Sequence, residues 1–101
     1  MEGSFRLCIV TGDETVLDTE VSYVNLPTGF GSVGILLNHA PMLCAVAEGV
    51  LRCRLKDGST LRVRVSEGVA SVADNELTVL CRSGAAPETA SSPAGASDGT
   101  E

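Results

Sequence analysis

His39 is the only histidine of this 101-residue chain, and it stands in Asn38-His39-Ala40-Pro41, five residues before Cys44. A thiol, an imidazole and an amide are the groups from which a nucleophilic hydrolase is assembled, with His39 as base and Asn38 as its orienter. Cys44, however, lies in the apolar run Met42-Leu43-Cys44-Ala45-Val46, with no cation beside it and no helix start to stabilise a thiolate. The competing reading is a histidine that bonds backbone groups of its own loop, and the residues favour it. No catalytic residue is predicted.

Three further groups invite a chemical reading. Gly29-Phe30-Gly31-Ser32-Val33-Gly34 has the G-x-G-x-x-G spacing of a phosphate loop. That use requires a following helix whose N-terminus meets the anion, and Pro41 leaves no room for one. Cys8, Cys44, Cys53 and Cys81 are far apart without a C-x-x-C, and one histidine cannot complete a zinc set. They read as small buried hydrophobes, so neither metal nor cofactor is predicted. Finally, Arg52, Arg54, Lys56, Arg62 and Arg64 supply five of the seven cations within thirteen positions of a chain whose formal charge is −6. Such a cluster is either a solvated strand face or a face with an acidic counter-surface, within the protein or on a partner. An acidic chain whose basic residues are not interleaved with aromatics is a poor binder of nucleic acid, and none is predicted as a partner.

The elements that must hold these groups are short strands. Phe5 to Val10 alternates Phe5, Leu7 and Ile9 against Arg6 and Cys8, and Thr11 to Glu14 turns the chain. Thr15 to Leu17 and Glu20 to Leu26 are extended, with Val21, Tyr23 and Asn25 alternating with Ser22, Val24 and Leu26. Pro27-Thr28-Gly29 is expected to end that run, since proline cannot donate to a ladder. Val33 to Leu37 and Met42 to Ala47 are short apolar strands. Leu51 to Leu55 and Leu61 to Val65 alternate strictly, and a three-residue loop ending at a left-handed Gly58 keeps all four arginines on one face. Val69 to Ala73 and Glu76 to Cys81 form a last hairpin around Asp74-Asn75. Turn geometry is expected to explain Gly49, Gly58 and Gly68.

From Ser83 to Glu101 the chain has only Ser, Gly, Ala, Pro, Thr, Asp and Glu, which reads as a disordered tail. The expectation is therefore one all-β domain over residues 1–82, a sandwich of two roughly five-stranded antiparallel sheets, followed by the tail 83–101. No run of about 18 apolar residues predicts a membrane-spanning helix. No basic-then-apolar leader opens the chain, and a reducing, cytosol-like compartment is expected.

From Phe5 to about Cys81 the chain resembles the N-terminal β-sandwich domain of the epsilon subunit of rotary F-type ATP synthases. The central match is Gly31-Ser32-Val33-Gly34-Ile35-Leu36-Leu37-Asn38-His39-Ala40-Pro41-Met42-Leu43. It follows a family pattern of spaced glycines, an apolar pair, proline-glycine, then histidine-alanine-proline and leucines. Glu48-Gly49-Val50-Leu51-Arg52, Ser66-Glu67-Gly68-Val69-Ala70-Ser71-Val72 and Asn75-Glu76-Leu77-Thr78-Val79-Leu80 match further along, in the right order.

The resemblance implies a rotor-stalk subunit without an active site, peripheral to the cytoplasmic face of the cell membrane as part of the complex. It couples the gamma subunit to the c-ring of a proton- or sodium-driven synthase. On this reading Thr28, Gly29, Phe30, Gly31, Ser32 and Val33 form the ring-facing loop, and Tyr23 faces gamma. Gly34, His39 and Pro41 shape the loop, with the whole stretch from Gly29 to Pro41 as the ring-facing end and its scaffold. Leu37-Asn38 replaces the family's proline-glycine, and Phe30 and Ser32 stand where relatives often carry acids. The C-terminal helical hairpin common in relatives is absent, so neither nucleotide binding nor inhibition through such a hairpin is expected. The alternative is a free-standing cytosolic binding module that uses the arginine-rich hairpin face.

Overall fold

A computed structural model of the chain describes residues 3–12, 14–82 and, for the backbone alone, 86–87, and every element in it is a strand. In chain order they are β1 (Phe5–Val10), β2 (Thr15–Thr28), β3 (Gly31–Ile35), β4 (Met42–Val46), β5 (Gly49–Leu55), β6 (Thr60–Val65), β7 (Gly68–Ala73), β8 (Glu76–Cys81) and β9 (Ala86–Pro87). The alternation read in β1 is observed: Phe5, Leu7 and Ile9 are buried and Arg6 is exposed.

β2 belongs to both layers of the sandwich. Its first half pairs with β1, and that layer continues through β8, β7 and β4. Its second half lies between β3 and β5, and that layer continues through β6 to β9. The expected pair of roughly five-stranded sheets is present, with one parallel pair inside it. β1 and β8 run parallel, joined not by a hairpin but by all the strands between them.

A bulge makes the switch between layers. Val21 faces Leu55 and Tyr23 faces Arg54, so Ser22 is the extra residue on β2. An inserted residue bends a strand and shifts its side-chain phase by one. Instead of one continuous alternation, Val21, Val24 and Leu26 are therefore all buried. Tyr23 and Asn25 turn to the outer face beside the arginines.

The expectation that Pro27 ends the strand is not met, since β2 runs through Thr28. Thr28 and Gly31 close a two-residue tip, which leaves Pro27, opposite Ser32, at a non-hydrogen-bonded place in the ladder. Its missing N–H costs that pairing nothing. The Pro27 carbonyl accepts the Ala47 N–H at 3.1 Å. β3 likewise starts and stops two residues earlier than the sequence suggests, because the tip is tight and a turn follows Ile35.

The β5–β6 hairpin has the three-residue loop, Lys56-Asp57-Gly58, with Gly58 at φ +92°. The Leu55 N–H donates to the Ser59 carbonyl at 2.8 Å, and Asp57 Oδ1 accepts both the Ser59 N–H and its hydroxyl. Asp74 and Asn75, both at positive φ, form the β7–β8 turn. Gly68 has a different reason from the turn geometry expected. A Cβ there would lie 1.9 Å from the Leu80 carbonyl oxygen, so β7 needs a hydrogen at this point to approach β8.

The core is aliphatic. Leu7, Ile9, Val21, Val24, Leu26, Ile35, Leu51, Val63, Leu77 and Val79 are fully buried between the layers, with Cys53 and Cys81 among them. Of the expected tail 83–101, the backbone of Ala86–Pro87 adds β9 to the edge of β6; the rest lies outside the described residues.

Candidate functional site

The segment from Gly29 to Pro41 is not one loop. β3 carries the chain from the Gly29-Phe30 tip back along β2 as far as Val24, so the tip and the His39–Pro41 loop lie at opposite ends of the sandwich. Thr28, Gly29, Phe30, Gly31, Ser32 and Val33 are at one end; His39 and Pro41 are at the other, with Gly34 between.

The tip is built by local hydrogen bonds. The Thr28 hydroxyl donates to the Gly31 carbonyl and accepts the Phe30 N–H at 3.1 Å, and Gly31 takes a φ of +108°. A side chain at Gly31 would be strained, whereas Phe30 needs only to point outward. It does so completely, with 104% relative exposure. A whole phenyl ring in water on a tightly bonded tip is a contact group without a contact among the described residues.

At the opposite end the chain turns over Leu36–His39. The Leu36 carbonyl accepts the His39 N–H at 3.2 Å, and Asn38 has φ +65°. The second central residue of such a turn must be left-handed. Asn38 fills the place of the family's glycine because asparagine tolerates that region better than other side-chain-bearing residues. It is also tied across the molecule: its N–H donates to Asn75 Oδ1 at 2.6 Å, and Asn75 Nδ2 donates to Asn38 Oδ1 at 3.1 Å. The His39 Nδ1–H donates to the Ala40 carbonyl at 2.7 Å. Cys44 turns inward against the core instead, and among the described residues no hydrogen bond joins it to His39.

The outer face of the second sheet carries the charge. Gly34, Asn25, Arg52 and Arg62 form one row across β3, β2, β5 and β6, and Tyr23, Arg54 and Thr60 form the next. All four arginines are exposed. The Tyr23 ring lies over Gly34, where a Cβ would stand 3.1 Å from its hydroxyl. The glycine is thus a seat for the ring. A shallow groove of about 260 Å³ runs between Tyr23, Asn25, Arg52 and Arg54.

The outer face of the first sheet differs. Arg6 sits between Asp18, with bonds of 2.8 and 2.6 Å, and Glu76 at 3.7 Å. Further along, Leu43, Val69 and Leu80 are exposed at 74%, 45% and 48%. The sequence reading did not single out this apolar patch. The signal is present, because Val69-Ala70 and Val79-Leu80 are apolar on both faces of their strands.

Three of the cysteines, Cys8, Cys53 and Cys81, lack the setting of nucleophiles. All four are free thiols. Burial pushes Cys53 up to about 11 and raises Cys81, and for Cys8 burial and then Asp18 raise it. Reactive thiols show the opposite shift.

Residues 4–87 match the family described as ATP synthase, delta/epsilon chain, beta-sandwich domain. The chloroplastic ATP synthase epsilon chain of Pisum sativum is 42% identical over 77 residues, which are 76% of this chain and 56% of that protein. The ATP synthase epsilon chain of Desulfitobacterium hafniense (strain Y51) is 39% identical over 80 residues, 79% of this chain and 60% of that one. A chain in the cryo-EM structure of the Euglena gracilis mitochondrial ATP synthase (OSCP/F1/c-ring) superposes with a TM-score of 0.78 at 24% identity. The match covers 86% of this chain and 55% of that chain, and it shows a shared fold. The chain thus spans 56% to 60% of the length of these two curated relatives. By the match across its whole sandwich, the chain belongs to the family of ATP synthase delta/epsilon chains, of which it carries the β-sandwich domain.

Proposed function

We propose that the chain is a non-catalytic subunit of the central stalk of a proton- or sodium-driven F-type ATP synthase, coupling the gamma subunit to the c-ring. The observation that carries this reading is the family match over residues 4–87, which covers every strand. The fold suits the task. An interdigitated aliphatic core between two sheets that share β2 resists bending, whereas a loosely packed connector dissipates torque.

In this reading the tip from Thr28 to Val33 meets the polar loops of the ring, with Phe30 as an apolar anchor where relatives often present acids. Tyr23 faces gamma from its seat on Gly34. His39 and Pro41 shape the turn at the other end, which Asn38 ties to Asn75. The subunit sits at the cytoplasmic face of the cell membrane, peripheral to it and held there by the complex. It takes no nucleotide, metal or cofactor and performs no chemistry.

The test is assembly. The purified chain mixed with the purified gamma subunit is expected to elute as a one-to-one complex by size exclusion with light scattering. Two separate species, with both proteins folded by circular dichroism, overturn the reading.

A further inference from the structure

We propose that the groove between β2 and β5 docks an acidic polypeptide segment in extended form, with two carboxylates at alternate positions set against Arg52 and Arg54. Asn25 stands opposite Arg52 and Tyr23 opposite Arg54, so these four residues frame a groove of about 260 Å³, which Thr60 borders from β6. Both arginines are exposed, and Tyr23 and Asn25 are half-buried. The inference goes beyond the stalk reading, which gives Tyr23 a direction and these arginines no role.

The placement of charge carries the inference. The chain has thirteen acidic residues against seven Lys and Arg, yet β3, β5, β6 and residues 21–28 of β2 contain no Asp or Glu. Outside this sheet the arginines meet carboxylates within the chain, Arg6 with Asp18 and Glu76, and Arg82 with Glu67. Among the described residues neither the Arg52 nor the Arg54 guanidinium makes a hydrogen bond or an ion pair. Asp57, in the adjoining hairpin loop, accepts two bonds from Ser59 instead. Two like charges on one strand are thus left for an acidic counter-surface from outside. Their spacing selects the occupant. Residues two apart on a strand lie roughly 7 Å apart and point to the same side. An extended segment with an acid at every second place repeats that spacing, so each carboxylate meets one guanidinium in a charge-assisted bond. The Tyr23 ring, seated on Gly34, forms a fixed wall beside them. The groove is shallow, so a free inorganic anion gains no enclosure there. Tyr23 is its single aromatic residue, so successive nucleic-acid bases have nothing to stack on.

Fluorescence anisotropy with the full-length chain at neutral pH and low salt tests this. A labelled peptide alternating glutamate with serine is expected to bind at least about threefold more tightly than one of the same composition with its glutamates in adjacent pairs. Arg52→Gln and Arg54→Gln are each expected to weaken that binding about threefold. Lys56→Gln, which removes the same charge from the hairpin loop, is expected to weaken it by less than about 1.5-fold. In the unmodified chain labelled with 15N, the peptide is expected to shift the amides of Tyr23, Asn25, Arg52 and Arg54. No binding, equal binding of the two peptides, an equal loss in all three variants, or shifts centred elsewhere overturns the proposal. An oligothymidylate that binds more tightly than the alternating peptide also overturns it, because the face then serves nucleic acid. No synthase subunit enters the test, so this proposal and the stalk reading fail separately.

Discussion

Replacing Asn75 by glycine sets two physical effects against each other. Asp74 and Asn75 lie at φ +53° and +60°, and a two-residue turn of this kind prefers glycine at its second place. Turn chemistry alone predicts that Asn75→Gly stabilises, by up to about 1 kcal/mol. But the Asn75 side chain also accepts the Asn38 N–H at 2.6 Å and donates to Asn38 Oδ1 at 3.1 Å. Each bond contributes about 0.5–1.5 kcal/mol, and exposure puts both near the lower end. Losing the pair costs about 1–2 kcal/mol, and set against a turn gain of about 0.5–1 kcal/mol this leaves a net expected loss of about 0.5–1 kcal/mol. With a urea slope of about 1 kcal/mol per molar for a domain this small, the midpoint falls by roughly 0.5–1 M. Asn38→Gly relieves a left-handed side-chain-bearing residue and removes one bond, so its effect stays within about 0.5 kcal/mol. The double variant is expected to be more stable than the sum of the singles, because the shared bond can be lost only once. Urea unfolding followed by circular dichroism measures all four proteins. A midpoint that rises in Asn75→Gly refutes the reasoning, since the turn at 36–39 is then not held from Asn75.

Three other outcomes are expected. Gly68→Ala places a methyl 1.9 Å from the Leu80 carbonyl, forces β7 and β8 apart and costs about 3 kcal/mol or more; a melting temperature lowered by only a degree or two contradicts this. Cys53 is held protonated up to about 11 by burial, while in the unfolded chain it ionises near about 8.5. The unfolded state then binds fewer protons, so stability falls as pH rises from about 8.5 towards 11, by on the order of 1–2 kcal/mol. Cys53→Ala is expected to flatten that decline in urea titrations at pH 7, 9 and 10.5, and an unchanged decline contradicts it. Phe30→Ser changes unfolding free energy by less than about 0.5 kcal/mol because the ring is wholly exposed. It is nonetheless expected to weaken attachment of the chain to ring-containing complexes in co-sedimentation, and undiminished attachment removes the tip from the interface.

What the sequence made legible is what neighbours decide. The strict alternation of Leu51–Leu55 and Leu61–Val65, with a glycine at the third loop position, sufficed to set the loop length and the common face of four arginines. Asp74-Asn75 marked its turn for the same local reason. The features that escaped depend on distant partners. Ser22 carries no bulge signal of its own; the bulge exists because β2 must leave β1 and join β5. Pro27 stays in a strand only because its pairing phase demands no N–H, and that phase is set by the tip. The Asn38–Asn75 tie spans 37 residues and has no local signature. The stretch from Gly29 to Pro41 looked like one loop because its glycines are dense, yet Gly34 serves as a seat for Tyr23 inside β3.

The central claim is mechanical coupling, and ion pumping measures it most directly. Vesicles carrying a synthase complex assembled without this chain are supplied with ATP, and ion uptake is recorded per ATP hydrolysed before and after the chain is added. The account predicts that uptake per ATP rises on addition of the chain and that the purified chain alone hydrolyses nothing. Uptake per ATP that is equally high without the chain contradicts it.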